Sequence, residues 1–267
     1  MSERLRPGEA PLDAHGLPTS ETIALLHRRV SVRSYTDDPV DDAHVEAVLR
    51  AAFRAPTSSN IQAYSVVVVR DRETLARLAP VTGNQQHVAD APVFLAFCAD
   101  MRRMEHAITG LGSDLEDNNL EMGLVTSIDA ALVGMSASLA AESLGLAGVM
   151  IGAVRNDARA TAEILGLPRR VYVVFGMVLG WPADVPAQKP RMPYASMVHV
   201  ERFGRHPDGA TMEGALARYD RELAEHYRGQ GRPTADDSWS AETAKKFSVR
   251  PRQKLREQLA GRGFDFG

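Results

Sequence analysis

Three groups of polar residues are the candidates for chemistry in this 267-residue chain. They are Arg29, Ser31 and Arg33; Thr57, Ser58, Ser59, Asn60 and Gln62; and Lys189 with Arg191. Each group lies at the edge of an apolar segment, where donors can converge on a ligand held by a rigid scaffold. Together they offer what the phosphate, ribityl chain and ring of a flavin would need. An enzyme that uses a cofactor is therefore the leading interpretation.

Composition narrows the class of protein. A hydrophobic content of 44% can form a substantial core, and a net charge of -3 favours neither nucleic acid nor an anionic membrane as partner. Residues 1–20 are polar and contain three prolines, which predicts a flexible arm rather than a signal peptide or a transmembrane segment. The single cysteine, Cys98, allows no disulfide framework, so we expect a cytoplasmic protein with an inert core thiol.

Hydrophobic periodicity predicts alternating helices and strands. Ser20 is a plausible N-cap for a first helix, Asp41 for a second, and Asn156 for one that Gly166 and Pro168 would end. Four consecutive valines and three other apolar runs indicate buried strands. The helices are expected near 23–29, 41–53, 72–81 and 156–166, and the strands at 64–70, 92–100, 147–153 and 171–179, with 32–35 extended.

The segment 119–144 is an unusual helix because apolar or small residues occur on nearly every face. Such a helix must be enclosed on all sides. It is either a central core helix or the seam of a dimer, and we favour the dimer seam. Small residues such as Gly134, Ser136 and Ala137 would let another helix approach closely.

The composition changes after Pro193. Residues 199–267 contain no convincing strand and predict two polar helices, at 214–227 and 240–259. We therefore expect an arm at 1–20, a cofactor-binding core at 21–198, and a C-terminal helical extension of the same domain at 199–267. The basic residues of the last helix indicate a solvated face, with phosphate recognition as the alternative.

Several common catalytic motifs are absent from the sequence. The eight histidines form no HExxH motif and have no cysteine partner, so no metal site is predicted. The absence of a GxSxG elbow, a Walker A loop and a GxGxxG fingerprint argues against hydrolases, P-loop proteins and two-domain dehydrogenases.

Six sequence blocks resemble the nitroreductase family. The blocks are RVSVR at 29–33, APTSSNIQ at 55–62, TGNQQHV at 82–88, AESLGL at 141–146, GVMIG at 148–152 and LGWPAD at 179–184 continuing to KPR at 189–191. The chain is most similar to the branch of oxygen-insensitive NADPH nitroreductases and flavin reductases. The resemblance implies an α+β fold: a mixed sheet flanked by helices, a long central helix at a homodimer seam, and a C-terminal helical appendage.

The same resemblance implies one FMN in each of two sites at the subunit interface. Arg29, Ser31, Lys189 and Arg191 would hold the phosphate, and guanidinium groups suit a phosphate dianion because they donate paired, charge-assisted hydrogen bonds. Arg33 would lie near the ribityl chain and pyrimidine. The full set of implied cofactor-binding residues is Arg29, Val30, Ser31, Arg33, Thr57, Ser58, Asn60, Gln85, Ile151, Gly152, Ala153, Lys189 and Arg191.

The implied reaction passes hydride from NADPH or NADH through flavin N5 to a nitroaromatic, quinone or flavin acceptor by a ping-pong mechanism. No side-chain acid or base is required, so no catalytic residue is named. Open alternatives are a flavin-dependent dehydrogenase or dehalogenase with a dedicated substrate, a flavin-binding module without turnover, and a structural dimerisation protein.

Three positions depart from the family pattern. Val30 stands where arginine or histidine is common, and Ala153 replaces a second glycine. Gln230 occupies a position often associated with the NADPH phosphate, although Arg228 and Arg232 flank it and could reach a 2′-phosphate.

Overall fold

The structure is a computed structural model that describes residues 11–116, 119–231 and 238–266. It divides into two compact units. The first comprises the described residues of Met1–Pro186 and Lys254–Gly267, and the second those of Ala187–Gln253. The predicted arm falls partly outside the described residues, and its remainder forms a turn in which Leu12 pairs with Pro18.

The described residues form one sheet with helices around it. The strands are β1 Tyr64–Val69, β2 Val93–Asp100, β3 Ala147–Ile151 and β4 Val171–Gly180. The α-helices are α1 Glu21–Arg28, α2 Asp42–Ala52, α3 Arg72–Val81, α4 Gln86–Ala89, α5 Arg102–Gly110, α6 Leu120–Ser143, α7 Ala158–Ile164, α8 Tyr194–Met197, α9 Met212–Gly229, α10 Trp239–Phe247 and α11 Leu255–Ala260.

The strand order in the sheet is β1-β2-β4-β3. The expected α+β class is confirmed, but every pairing between these described strands is antiparallel, whereas mixed directions were expected. The reason is that β4 runs back between β2 and β3, which point the same way without pairing. A register shift between Phe97 and Cys98 marks a β-bulge in the central pair.

The two faces of the sheet are covered separately. Along β2, Leu95 and Phe97 pack in one buried cluster with residues of α2 and α6. Phe94 and Cys98 alternate with them and pack in another cluster with residues of α3. This alternation produces three layers, with helices on both faces of the sheet. Phe264, beyond α11, packs in a third cluster with Tyr172 and Leu259.

The long helix α6 is buried on one side only. Ala130, Val133 and Ala137 are fully buried against the sheet, and enclosure of the opposite side at a dimer seam stays a prediction. Gly134 also faces inward: an added Cβ would lie 2.3 Å from Phe175 Cζ. Its small size therefore serves contact with β4, not approach of another helix. The opposite side exposes apolar residues, namely Leu124, Ile128, Leu132 and Met135.

Most of the other predicted elements are confirmed, with local differences. The Ser20 hydroxyl caps α1 by accepting from Ile23 N, but Asp41 makes no side-chain cap bond and Asp157, not Asn156, caps α7. β1 is an edge strand rather than a buried one, and Val68 on it is 41% exposed.

The predicted helix over 240–259 is divided into α10 and α11. Between them Arg252 has a φ of 47°, which an α-helix does not accommodate.

Candidate functional site

The segment 29–33 is the first part of the predicted site. It follows the end of α1 in extended conformation, beginning with Arg29 at ψ 132°. Val32 is buried and donates its N–H to the carbonyl of Gly148 at 3.1 Å. The Tyr35 hydroxyl donates to the Val32 carbonyl at 2.7 Å. These contacts hold the segment beside the first residues of β3.

Arg29 forms an ion pair with an acidic residue of α6. Its guanidinium lies 3.9 Å from Glu142 of α6, and the two side chains are only 22% and 12% exposed. Burial raises the pKa of Glu142, while Arg29 and the Ser138 hydroxyl act to lower it. At this separation the two groups form an ion pair without a hydrogen bond between the two atoms.

Arg33 acts electrostatically on His87, which lies two residues after Gln85. Arg33 is exposed and donates to the Ser31 carbonyl at 3.4 Å. Burial lowers the pKa of His87, and the positive charge of Arg33 lowers it further. His87 Nε2 is buried and has no hydrogen-bond partner among the described residues.

Gln85 directly precedes α4. Its side-chain amide donates to the carbonyl of Thr82 at 2.8 Å, so one of its two N–H groups is engaged within the chain. Asn84, just before it, has a φ of 55°, which is in the left-handed region.

The loop that follows α2 carries the polar residues predicted to face a ring. Ser59, Asn60 and Gln62 have φ values of 48°, 57° and 55°, so this loop is unusually rich in left-handed residues. Ser58 and Asn60 are exposed, and Thr57 is half-buried. Their side chains are thus available to a ligand.

Lys189 and Arg191 belong to the second unit, whereas the residues above belong to the first. The Lys189 ammonium donates to the Tyr227 hydroxyl at 2.7 Å and lies 4.7 Å from the centre of its ring. Arg191 donates to the carbonyls of Lys189 and Pro190 at 3.3 and 3.2 Å. Both cations are exposed.

Comparison with known proteins identifies the family. Residues 26–181 match the model of the Nitroreductase family, and residues 189–267 match the model of its C-terminal domain. The chain belongs to the nitroreductase family.

Individual nitroreductase relatives align over nearly their whole length. The oxygen-insensitive NADPH nitroreductase of Salmonella typhimurium is 40% identical over 245 residues, which is 92% of this chain and 98% of that protein. The FMN reductase [NAD(P)H] of Bacillus subtilis is 35% identical over 251 residues, with the same coverage of 92% and 98%.

Solved structures of similar proteins share the fold. The hypothetical oxidoreductase YcnD from Bacillus subtilis has a TM-score of 0.88 at 34% identity, covering 93% of this chain and 99% of that one. The NADPH:FMN oxidoreductase from Vibrio harveyi complexed with NAD+ has a TM-score of 0.82 at 31% identity, covering 92% and 99%.

In this nitroreductase-family chain, the predicted cofactor-binding residues Ile151, Gly152 and Ala153 lie at the end of β3. Ile151 is buried, and Gly152 begins a short 3-10 turn with Ala153. A Cβ added to Gly152 would lie 3.6 Å from Arg155 Nη2, which is an ordinary contact. The chain itself therefore has room for a side chain at this position.

Two side chains near the site were missed by sequence reasoning. Asp129 of α6 is fully buried and bonds the loop that follows α2. Glu142, on the same helix, pairs with Arg29. The available signal was an acidic residue inside a long apolar helix, because such residues are rarely buried without a partner.

Cys98 takes no part in this site. It is fully buried in β2, and burial raises the pKa of its thiol to about 12. A protonated, inaccessible thiol is unreactive, as the sequence predicted. Among the described residues, no group of three or more His, Cys, Asp or Glu could hold a metal ion.

Proposed function

We propose that this chain is an FMN-dependent oxidoreductase that oxidises NADPH or NADH and reduces nitroaromatic, quinone or flavin acceptors. The observation that carries the proposal is the arrangement around β3: Val32 fastens the segment 29–33 to its first residues, and Gly152 lies at its other end. Similarity to an NADPH nitroreductase and an FMN reductase over almost the whole chain supports it.

The residues present fit FMN. Arg29, Ser31, Lys189 and Arg191 supply charge-assisted donors suited to its phosphate. The space at Gly152, where the nearest contact of an added Cβ would be Arg155 Nη2 at 3.6 Å, fits a ligand at the end of β3. The remaining proposed contacts are Val30, Arg33, Thr57, Ser58, Asn60, Gln85, Ile151 and Ala153.

When bound, FMN supplies a ring that accepts hydride from a nicotinamide and passes electrons to an acceptor. The cations would bind the phosphate, and Gly152, which has no side chain, would leave room for the ring. The polar loop at Thr57–Asn60 would orient the ring. Because the nicotinamide and the acceptor would each react with the bound flavin in turn, we expect ping-pong kinetics.

We further propose that the active form is a homodimer in the cytoplasm. On the outer side of α6, Leu124, Ile128, Leu132 and Met135 are 44%, 55%, 39% and 39% exposed. A continuous apolar stripe of this kind is typical of a subunit interface. By length and composition α6 could also cross a membrane, but 44% of its apolar window is buried inside the fold. We therefore favour the subunit interface.

The domain organisation that we propose is an arm at 1–20, an FMN-binding core at 21–198, and a helical extension at 199–267. Residues 254–267 group with the first unit, since Leu259 and Phe264 are buried in its core. A preference for NADPH over NADH would depend on Arg228 and Arg232, which flank Gln230 and would reach the 2′-phosphate. Arg228 is exposed, and Arg232 lies outside the described residues.

The test is anaerobic spectroscopy of the purified protein. We expect bound FMN whose visible absorption disappears on addition of NADPH or NADH and returns on addition of a nitroaromatic. Steady-state rates should give parallel double-reciprocal lines for the two substrates. Flavin that neither nicotinamide reduces would favour a binding module, and protein that takes up no FMN would contradict the proposal.

A further inference from the structure

A buried carboxylate holds both ends of the loop that follows α2. Asp129 has no exposed surface, and its Oδ1 accepts from Ser58 N at 3.0 Å. Its Oδ2 accepts from Ala63 N at 3.1 Å. Both oxygens of one carboxylate are therefore used by two backbone amides that bracket the residues between them.

The bracketed residues need such support. Ser59, Asn60 and Gln62 all have positive φ, which non-glycine residues adopt only when their surroundings hold them there. The Arg103 guanidinium donates to the Gln62 carbonyl at 3.0 Å and so holds a backbone carbonyl of the same loop. Asp129 holds two backbone N–H groups of the loop, those of Ser58 and Ala63.

We propose that Asp129 is a positioning residue that keeps the loop at 58–63 in the conformation that meets the FMN ring. The inference rests on the proposed function, and it assigns to α6 a role in the site in addition to its packing. A carboxylate suits this role because it only accepts, whereas an asparagine would turn an N–H₂ group toward one of the two amides.

The experiment compares Asp129→Asn with Thr126→Val as a matched control. Thr126 is also fully buried on α6, but its hydroxyl donates to Met122 and Gly123 within the helix and does not touch the loop. Amide hydrogen exchange of 57–63 is measured in the protein without FMN. FMN and riboflavin affinities are then measured by fluorescence titration.

For Asp129→Asn we expect exchange in 57–63 to accelerate by at least about tenfold, and FMN and riboflavin to bind about tenfold more weakly, because hydrogen bonds to a charged group are lost. Both ligands should weaken equally since the ring, not the phosphate, is affected. Thr126→Val should change neither measurement. Asp129→Glu retains the charge but displaces it, and should act in the same direction if Asp129→Asn does not fold.

Unchanged exchange in the Asp129 variants, or faster exchange with unchanged flavin affinity, would overturn the inference. The wild-type titration separates this result from failure of the proposed function. Wild-type protein that binds neither FMN nor riboflavin would overturn the proposed function, and the positioning role with it.

Discussion

The guanidinium of Arg29 and the carboxylate of Glu142 lie 3.9 Å apart, with both side chains largely buried. A proposed phosphate ligand thus already faces a negative charge supplied by α6. We therefore expect Glu142, which lies in the AESLGL block, to compete with the phosphate for the same guanidinium.

Replacing that competitor should strengthen cofactor binding. For Glu142→Gln we expect FMN to bind about two- to fivefold more tightly, because a pair separated by 3.9 Å forms no hydrogen bond and contributes on the order of 1 kcal/mol or less. The measurement is fluorescence titration of the protein freed of FMN. Glu121→Gln, which changes an exposed acid on the same helix, should leave the affinity unchanged. Weaker FMN binding in Glu142→Gln would contradict the competition.

The same substitution should affect stability in a pH-dependent way. Burial raises the pKa of Glu142, so the folded state holds its proton more tightly than the unfolded state does. This stabilisation is complete below the pKa of an unfolded-chain glutamate and disappears as pH rises through the raised pKa.

Glutamine resembles the protonated form, so Glu142→Gln should be more stable than wild type at neutral pH, with a smaller difference at about pH 4. Urea unfolding of the protein without FMN at both pH values measures this. A difference that is the same at both pH values would show that the carboxyl group's ionisation is not responsible.

Two glycines should respond differently to an added methyl group. In Gly152→Ala the new Cβ meets only Arg155 at 3.6 Å, so stability should hold while FMN affinity falls by at least about tenfold. In Gly134→Ala it would lie 2.3 Å from Phe175, and we expect a loss of about 1–3 kcal/mol in the free energy of unfolding. Urea unfolding and FMN titration separate the two effects. Unchanged FMN affinity in Gly152→Ala would remove this residue from the site.

The proposed phosphate ligands can be tested by comparing FMN with riboflavin, which lacks the phosphate. Lys189→Ala and Arg191→Ala should each weaken FMN binding by about tenfold or more, because charge-assisted hydrogen bonds are lost, and should leave riboflavin affinity unchanged. Arg50→Ala, which breaks an exposed pair with Glu46, serves as the control. Equal loss of both ligands would indicate general damage to the fold.

The apolar side of α6 should decide the oligomeric state. Ile128→Glu places a charge in the exposed stripe, and we expect it to produce a monomer that retains little FMN. Leu111→Glu is the matched control, since Leu111 is 87% exposed and lies outside the stripe. Size-exclusion chromatography with light scattering gives the mass. A dimer that persists in Ile128→Glu would place the interface elsewhere.

Elements with strong local patterns were predictable from the sequence. The run from Val93 to Asp100 and the helix Arg72–Val81 carry their own periodicity, and both lie where it indicated. The break between α10 and α11 was missed although the sequence contains a signal for it. α10 ends at Phe247, and Pro251 follows, which cannot donate a backbone hydrogen bond and clashes with the preceding helical turn.

The family was recognisable from the amino-acid sequence, because the order and spacing of six blocks agree with it. The candidate residues were also recognisable, since a binding site for a phosphate needs cationic and hydroxyl side chains and the sequence states where these are. Only the tertiary structure decided what those residues contact. It paired Arg29 with Glu142, turned Gly134 toward Phe175, and brought Asp129 to Ser58. These contacts join residues far apart in the chain, and they depend on how the helices pack on the sheet. Local sequence patterns do not predict that packing.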